Sequence, residues 1–492
     1  MNRFTQRVRR VPRLIVYTIV TVGLIAWLSV TLSTRVQMPD GLTHDGSARP
    51  LADAELLVDT TYLDADGRRQ SDQAIFDAVF KMIADARELI VIDMFLFNPF
   101  HGPEPERTRD LTSELTRALI DARAANGDLT VVLITDPINT VYGGLEAEHL
   151  QRLRRVGVEV VMTRLTALRD SNPSYSGLWR WLARPFGNTT EGGWLPNALG
   201  DGEVTLRSYL ALLNFKANHR KTLVADDGRG GLRALVTSAN PHTDSSAHSN
   251  IALRFAGPAA TDLMRTEQAV LQFSSDDVRI PDRWLRVGPR ETGKPPDATI
   301  RIVTENAVES AILDALQVAG ADDRVRLAMF YLSDREVIEA LKAARERGAD
   351  VRALLDPNRD AFGREKNGVP ARPVAAELVN AGIDVRWCDT HGEQCHFKAL
   401  LVETAGNGRF LSVLGSANFT RRNLDDFNLE TDVTLSLPAD HALAISMTTW
   451  FDGLWENRNG RHFSVPYADF ADERPKLRWT YRLMEATGWS SF

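Results

Sequence analysis

Two stretches, NHRKTLVAD (218–226) and CHFKALLVE (395–403), read alike and decide how the rest of the chain is organised. Each sets a histidine and a lysine two apart, His219 with Lys221 and His396 with Lys398, at the head of an apolar run long enough for one strand. Side chains alternate faces along a strand, so each His–Lys pair projects from one side. A second strand with a polar tip follows each: TSAN with Ser238 and Asn240, and GSAN with Ser416 and Asn418. The His-to-Asn spacing is 21 residues in one stretch and 22 in the other, and Asn250 or Asn428 follows ten residues later. One His-x-Lys is noise, whereas two in the same frame, each with Ser-x-Asn, form a signal. Asp226 and Glu403 lie seven positions beyond the histidines, an odd offset, so they point away and read as structural acids.

Working outward, the same succession of elements occurs twice. The first copy opens with the strand-like ELLVDTTYL, a helix with Ile75, Val79, Met82 and Ile83 on one face, and the apolar ELIVIDMFLF (88–97). The second opens with TIRIVTEN, a helix with Val308, Ile312, Ala315, Leu316 and Ala319, and RVRLAMFYL (324–332). Each continues through a helix ending at Gly to a strand closing on Asp-Pro, Asp136–Pro137 or Asp356–Pro357. A third helix and strand then pair RRVGVEVVMT with VNAGIDVRWC. Strands alternating with helices predict an α/β fold of two similar halves, each a largely parallel or mixed β-sheet layered with helices.

The doubled body spans 53–273 and 299–436, joined by a Pro- and charge-rich linker at 274–298. The first half carries an extra segment, 168–213, rich in Trp, Pro and Gly, in which Trp179, Trp181 and Trp194 are expected to pack, with a dip into a membrane interface as the alternative. A C-terminal extension, 437–492, with Trp450, Trp455, Trp479 and Trp489, has no expected counterpart in the first half. At the other end, a basic leader (1–13) with five arginines precedes Leu14–Leu32, 19 uncharged and mostly apolar residues. That is about the length that crosses ~30 Å of hydrocarbon as a helix. A polar tether, 33–52, follows it. The leader's charge predicts a single-pass anchor with a cytoplasmic N-terminus and an extracytoplasmic (periplasmic) body, a cleaved signal peptide being the alternative.

Composition narrows the function. At 43% hydrophobic and 25% charged, the chain has a globular balance that excludes disorder. Its net charge of −7 becomes −12 once the leader's five arginines are set aside, which argues against a broad duplex-binding groove. The two cysteines, Cys388 and Cys395, can form a local disulfide bracing the approach to His396 or remain free thiols; with His391 and His396 they make only a weak zinc pattern. His44, His149 and His462 read as solvated, and Arg421 and Arg422 as either phosphate ligands or solvated.

Two patches, each with imidazole, ammonium, hydroxyl and amide, suit a phosphodiester across a pseudo-twofold. Lysines and Ser/Asn groups (Ser238, Asn240, Ser416, Asn418) can hold the non-bridging oxygens; one His can attack phosphorus while the other protonates the leaving alcohol. No metal or cofactor is required by this chemistry. The doubled H-x-K-x4-D/E with G-S-x-N, over about residues 55–435, resembles the phospholipase D superfamily of phospholipases, phosphatidyl-transferring synthases and some nucleases. The resemblance implies a covalent phosphohistidine mechanism with the site between the halves, His219 as nucleophile and His396 as general acid. It also implies that Glu430 is a carboxylate orienting a catalytic His. The aligned residue in the first copy is Ala252, leaving Asn250 as the only nearby substitute, so His219 is expected to lack a carboxylate partner. The expected function is an anchored phosphodiesterase or phosphatidyltransferase acting on glycerophospholipids, with water or an alcohol as acceptor, of phospholipase D or cardiolipin synthase type. The alternatives are a single-strand exonuclease and a non-catalytic lipid-binding module.

Overall fold

The computed structural model describes residues 2–33, 36–104, 107–286, 296–360 and 364–490, and the side chains of all these except 2–16 and 19. Every strand and helix expected from the repeat is present. The first sheet runs, in spatial order, Arg69–Asp72, Glu55–Leu63, Asn250–Ala256, Leu232–Thr237, Lys221–Asp226, Leu89–Met94, Thr130–Thr135 and Glu159–Met162. The second runs Arg49–Pro50, Thr299–Thr304, Thr431–Pro438, Arg409–Gly415, Lys398–Thr404, Arg324–Met329, Asp350–Leu355, Asp384–Cys388 and Ser464–Pro466. From Glu55–Leu63 and Thr299–Thr304 the two orders match strand for strand as far as Glu159–Met162 and Asp384–Cys388, and Ser464–Pro466 is an added edge strand of the second sheet. Both sheets are mixed: the last three strands of the repeat are parallel, and those carrying the His–Lys and Ser-x-Asn motifs are antiparallel.

The central strands are apolar on both faces because both faces are covered. Leu89–Met94 and Lys221–Asp226 are buried throughout. One core cluster draws on both halves, with Val224, Val236, Leu253, Phe397, Leu401 and Leu435, so the sheets pack face to face. Two further clusters lie under the outer helices of each half. The result is a four-layer sandwich, helices outside and sheets inside.

Several boundaries differ from the sequence expectation. The tether is not loose: Leu42 is fully buried, His44 and Gly46 bond the backbone of Ile302–Thr304, and Arg49–Pro50 adds an edge strand to the second sheet. His44 is accordingly half-buried rather than solvated. The helix Ala442–Glu456 follows the second-half strand Thr431–Pro438 as Pro258–Ser274 follows Asn250–Ala256, so the repeat extends past residue 436. Residues 287–295 of the linker lie outside the described residues. The N-terminus forms a helix, Asn2–Ser33, and among the described residues no helix is long and apolar enough to cross a membrane. Leu14–Val16 and Ile19 of the expected span, and the side chains of its basic leader, fall outside those described.

The sheets are pinned together by a buried ion cluster. Arg220, between His219 and Lys221, points to the opposite face of its strand and is fully buried. It donates to Glu305 at 2.8 Å, to the Thr266 carbonyl at 3.2 Å, and lies 3.7 Å from Glu267. Burial raises Glu305 to about 7 against the pull of Arg220. Removing one member of such a cluster leaves an uncompensated buried charge, at a cost of about 3–5 kcal/mol. Arg220→Met should therefore lose stability on that scale in urea unfolding, and the double variant Arg220→Met/Glu305→Gln should recover much of it. An unchanged midpoint for the single variant would remove this cluster from the account.

Candidate active site

The two His–Lys strands are locked to the opposite half before their side chains are considered. The His219 amide donates to the Leu429 carbonyl at 2.9 Å, and the Leu429 amide to the Ala217 carbonyl at 3.0 Å. The mirror pair is His396 amide to Ser249 carbonyl at 2.8 Å and Ser249 amide to Gln394 carbonyl at 3.0 Å. Each histidine thus lies beside the residue preceding the other half's polar position, Glu430 or Asn250. His219 Nδ1 meets Glu430 at 2.8 and 3.0 Å, and His396 Nδ1 meets Asn250 Oδ1 at 3.1 Å. The expected lack of a carboxylate at His219 is corrected: the orienting groups cross between halves, and the structural counterpart of Glu430 is Asn250, not Ala252, so it is His396 that faces an amide in place of a carboxylate.

Both histidines line one cavity of about 590 Å³ together with Asn240, Asn418, Arg422 and Lys366. Phe95 stands edge-on to His219 and Phe330 is tilted against His396, limiting ring rotation. Ser238 and Ser416 do not act as expected. Both are fully buried and donate to the orienting groups, Ser238 to Asn250 at 2.9 Å and Ser416 to Glu430 at 2.5 Å. Each also accepts a backbone amide from the neighbouring strand, from Ile251 or Thr431. They fix the second layer, and the asparagines two residues on face the cavity. The lysines are fully buried below the histidines, Lys221 donating to the His219 carbonyl at 2.6 Å and Lys398 to that of His396 at 3.1 Å. Asp226 is structural, as expected, accepting the amides of Arg87, Glu88 and Leu89. Glu403 pairs at 3.6 Å with Arg324 away from the cavity.

The electrostatics follow from burial. Desolvation, then Lys221 and Lys398, hold His219 well below the ordinary imidazole range. Desolvation and Lys398 do the same to His396. Burial raises Glu430 to about 7 and lowers Lys221 to about 7, each opposed by the other's charge. Glu430 is further held by the Asn423 side-chain amide. With Glu430 accepting at Nδ1, the Nε2 lone pair of His219 is left for the cavity.

Some site residues went unassigned in the sequence. The Asp-Pro repeat carries no sign of its role in the sequence. Asp136 accepts the Asn218 amide and Asp356 the Cys395 amide, both at 2.7 Å, so each carboxylate clamps the residue just before a motif histidine. Burial raises both to about 7. His242 and His248 also line the cavity, and burial lowers them to about 4 and about 3. The two histidines lie in PHTDSSAHS, which has no partner in the second copy, so the repeat gave no signal for them. Arg422 faces the cavity, whereas Arg421 turns to Asp425 at 3.3 Å. His149 is half-buried and bonds the Phe97 carbonyl at 2.7 Å, contrary to the solvated expectation; His462 is exposed. Cys388 and Cys395 form a disulfide, which removes the zinc reading. Trp179 is half-buried, but Trp181 and Trp194 do not pack, being 74% and 67% exposed.

Residues 312–455 match the family model described as cardiolipin synthase, PLD-like domain. No curated protein matches the chain. Among solved structures, phosphatidylserine synthase from Haemophilus influenzae is similar in fold, with TM-score 0.55 and 11% identity, covering 94% of this chain and 98% of that one. A phospholipase D family member, Nuc from Salmonella typhimurium, aligns at 20% identity over 34% of this chain and 97% of its own, with TM-score 0.26. Polyphosphate kinase from Porphyromonas gingivalis aligns at 12% identity over 89% of this chain and 56% of its own, with TM-score 0.42. The family match falls on the half that holds His396, and the other half repeats its strand order and its His–Lys motif around the same cavity, so both halves of the chain resemble the phospholipase D superfamily.

Proposed function

We propose that this enzyme is a membrane-anchored phosphodiesterase or phosphatidyltransferase that acts on glycerophospholipids through a covalent phosphohistidine. The observation that carries the reading is the crossed pair of orienting groups, because it makes the two histidines unequal. His219, backed by the Glu430 carboxylate, is the nucleophile. Its Nε2 attacks phosphorus, the bond to the leaving alcohol breaks, and His396 supplies that alcohol's proton from Nε2. Glu430 stabilises the charge that builds on the His219 ring. His396, facing only the neutral Asn250 oxygen, stays neutral in the empty site and takes up its proton when the phosphodiester brings its negative charge. In the second step water or an alcohol gives its proton to His396, attacks phosphorus and releases His219. Lys221, Lys398, Asn240 and Asn418 supply positive charge and amide donors for the non-bridging oxygens.

The lipid assignment rests on the family model's cardiolipin synthase description, the apolar run Leu14–Leu32 and the exposed aromatics of the insertion. The basic leader is the sequence feature that supports a cytoplasmic N-terminus and an extracytoplasmic body in this proposal. Phe100, Phe215 and Tyr331 line the cavity too, and aromatic faces of that kind stack bases, so a single-strand exonuclease is the second reading. Incubating the full chain with phosphatidylglycerol, phosphatidylcholine and a short single-stranded oligonucleotide, followed by mass spectrometry, separates the two. Phosphatidic acid or a transphosphatidylated lipid is expected; cleavage of the oligonucleotide alone would sink the lipid assignment.

Two predictions concern the mechanism. His219→Ala should lower turnover by roughly 10³-fold or more. His396→Ala, given an activated diester that needs no proton on its leaving group, should accumulate phosphorus on His219, detectable in intact mass; label on any other residue would refute the nucleophile assignment. The pH profile should be a bell centred near neutrality. As pH falls through about 7, Glu430 takes a proton and the nucleophile loses its counter-charge. As pH rises through about 7, Lys221 loses its charge and the phosphate its partner. The limbs belong to the coupled cluster. Glu430→Gln should cost about 10²–10⁴-fold in kcat and flatten the acid limb; an unchanged acid limb would assign it to another group.

A further inference from the structure

The first-half insertion builds a second cavity that the reaction does not use. It measures about 280 Å³ and is walled by Pro137, Leu165, Trp179, Ala183, Leu210 and Ala211. Arg164, Arg184 and Arg207 line it as well, and all three are exposed, which places the positive charge at its rim. The inner end is shared with the catalytic cavity: Tyr142 and Lys216 line both. Lys216 is tied down by the Leu168 carbonyl at 2.6 Å and by Asp170, so its position at this junction is fixed and it does not swing into either space.

The outer side carries large apolar groups in solvent. Trp181, Phe186 and Trp194 are 74%, 73% and 67% exposed, on the same short stretch of chain as Trp179 and Ala183. Exposed aromatics of this density fit a membrane interface, where the ring body is apolar and Trp keeps its N–H wet. The insertion helix Pro173–Leu182 is also the element on which the N-terminal helix docks. Ser29 Oγ bonds the Pro173 carbonyl at 2.8 Å and accepts the Leu178 amide at 3.2 Å. The contact at Gly177 is so close that a Cβ there would come within 2.0 Å of the Ser29 carbonyl oxygen. If residues 14–32 enter a bilayer, this helix is held at its surface with the cavity's basic rim beside it.

We infer that the cavity under the insertion is an acyl-chain site, taking one fatty chain of the glycerophospholipid whose phosphodiester lies against His219. The inference rests on the lipid reading given above and adds to it where the chain goes and which residues set its length. A chain leaving the catalytic cavity past Tyr142 meets an apolar slot instead of water. The rim arginines face the anionic headgroup layer, and the exposed aromatics hold the mouth at the depth where acyl chains begin. Each methylene moved from water into such a slot adds to affinity, so the enzyme should discriminate between chain lengths.

Ala211 lies on the wall and is small, so Ala211→Trp fills the slot. The test compares kcat/KM for dihexanoyl- and dioleoyl-phosphatidylglycerol in mixed micelles, using the full chain. The long-to-short ratio should fall about tenfold or more in Ala211→Trp relative to the parent. An unchanged ratio, with both lipids turned over, would overturn the acyl site and leave the lipid reading standing. Turnover of oligonucleotide and of neither lipid by the parent would remove the lipid reading and the acyl site with it. Should Ala211→Trp fail to fold, the parent answers directly. A monomeric lysophospholipid brominated near its chain end should quench Trp179, seen as fluorescence quenching that is lost in Trp179→Phe. Equal quenching in parent and Trp179→Phe would place the chain elsewhere and overturn the proposal.

Discussion

The site depends on two short parallel bridges, Asn218 with Leu429 and Ser249 with Cys395. They are the points where the backbone of one half pairs with that of the other at the cavity floor. Because side chains alternate along extended backbone, pairing Asn218 with Leu429 sets Glu430 beside the His219 imidazole. A slip of one residue would present Leu429 or Thr431 to His219 and leave Glu430 facing the opposite way. Asp136 and Asp356 hold the residues preceding each histidine, and the Arg220 cluster closes the sheets just behind them. Positions distant in sequence are therefore set by backbone geometry, not by flexible side chains reaching toward each other.

This also explains what could and could not be read in the sequence. Strand and helix order was legible because it is written in local periodicity and then written again, so each copy corroborated the other. The His, Lys and Asn positions were legible for the same reason. The partner of each histidine was not, because a repeat shows what is equivalent and not what is adjacent. Alignment set Glu430 against Ala252 and suggested that His219 lacked a carboxylate, whereas the crossing gives Glu430 to His219. The serines were misjudged by the same logic: sharing a strand face with Asn240 or Asn418 put them near the substrate on paper, but a layer deeper they meet Asn250 and Glu430. Residues 33–52 read as a tether because they are polar, but edge pairing with the second sheet needs backbone groups, on which composition is silent.

The two halves differ most where it bears on function. Between the third parallel strand and the His–Lys strand, the second half uses a short loop closed by the Cys388–Cys395 disulfide. At the equivalent point the first half inserts the helices Pro173–Leu182 and Leu206–Leu212. A twofold cavity floor is thus given unequal walls, one short and cross-linked, the other broad, apolar and joined to the N-terminal helix. The orienting groups are unequal in the same sense: the charged Glu430 serves the histidine whose strand follows the insertion, and the neutral Asn250 serves the histidine beside the disulfide. A symmetric site would bind a diester equally well in either direction. In the proposed reaction, unequal walls would give the two ester arms of the substrate different surroundings, and unequal histidines would require that one particular arm leave. Under that proposal the asymmetry of the walls and the asymmetry of acid and nucleophile have to agree, which is a reason for a fused, diverged repeat over two identical copies.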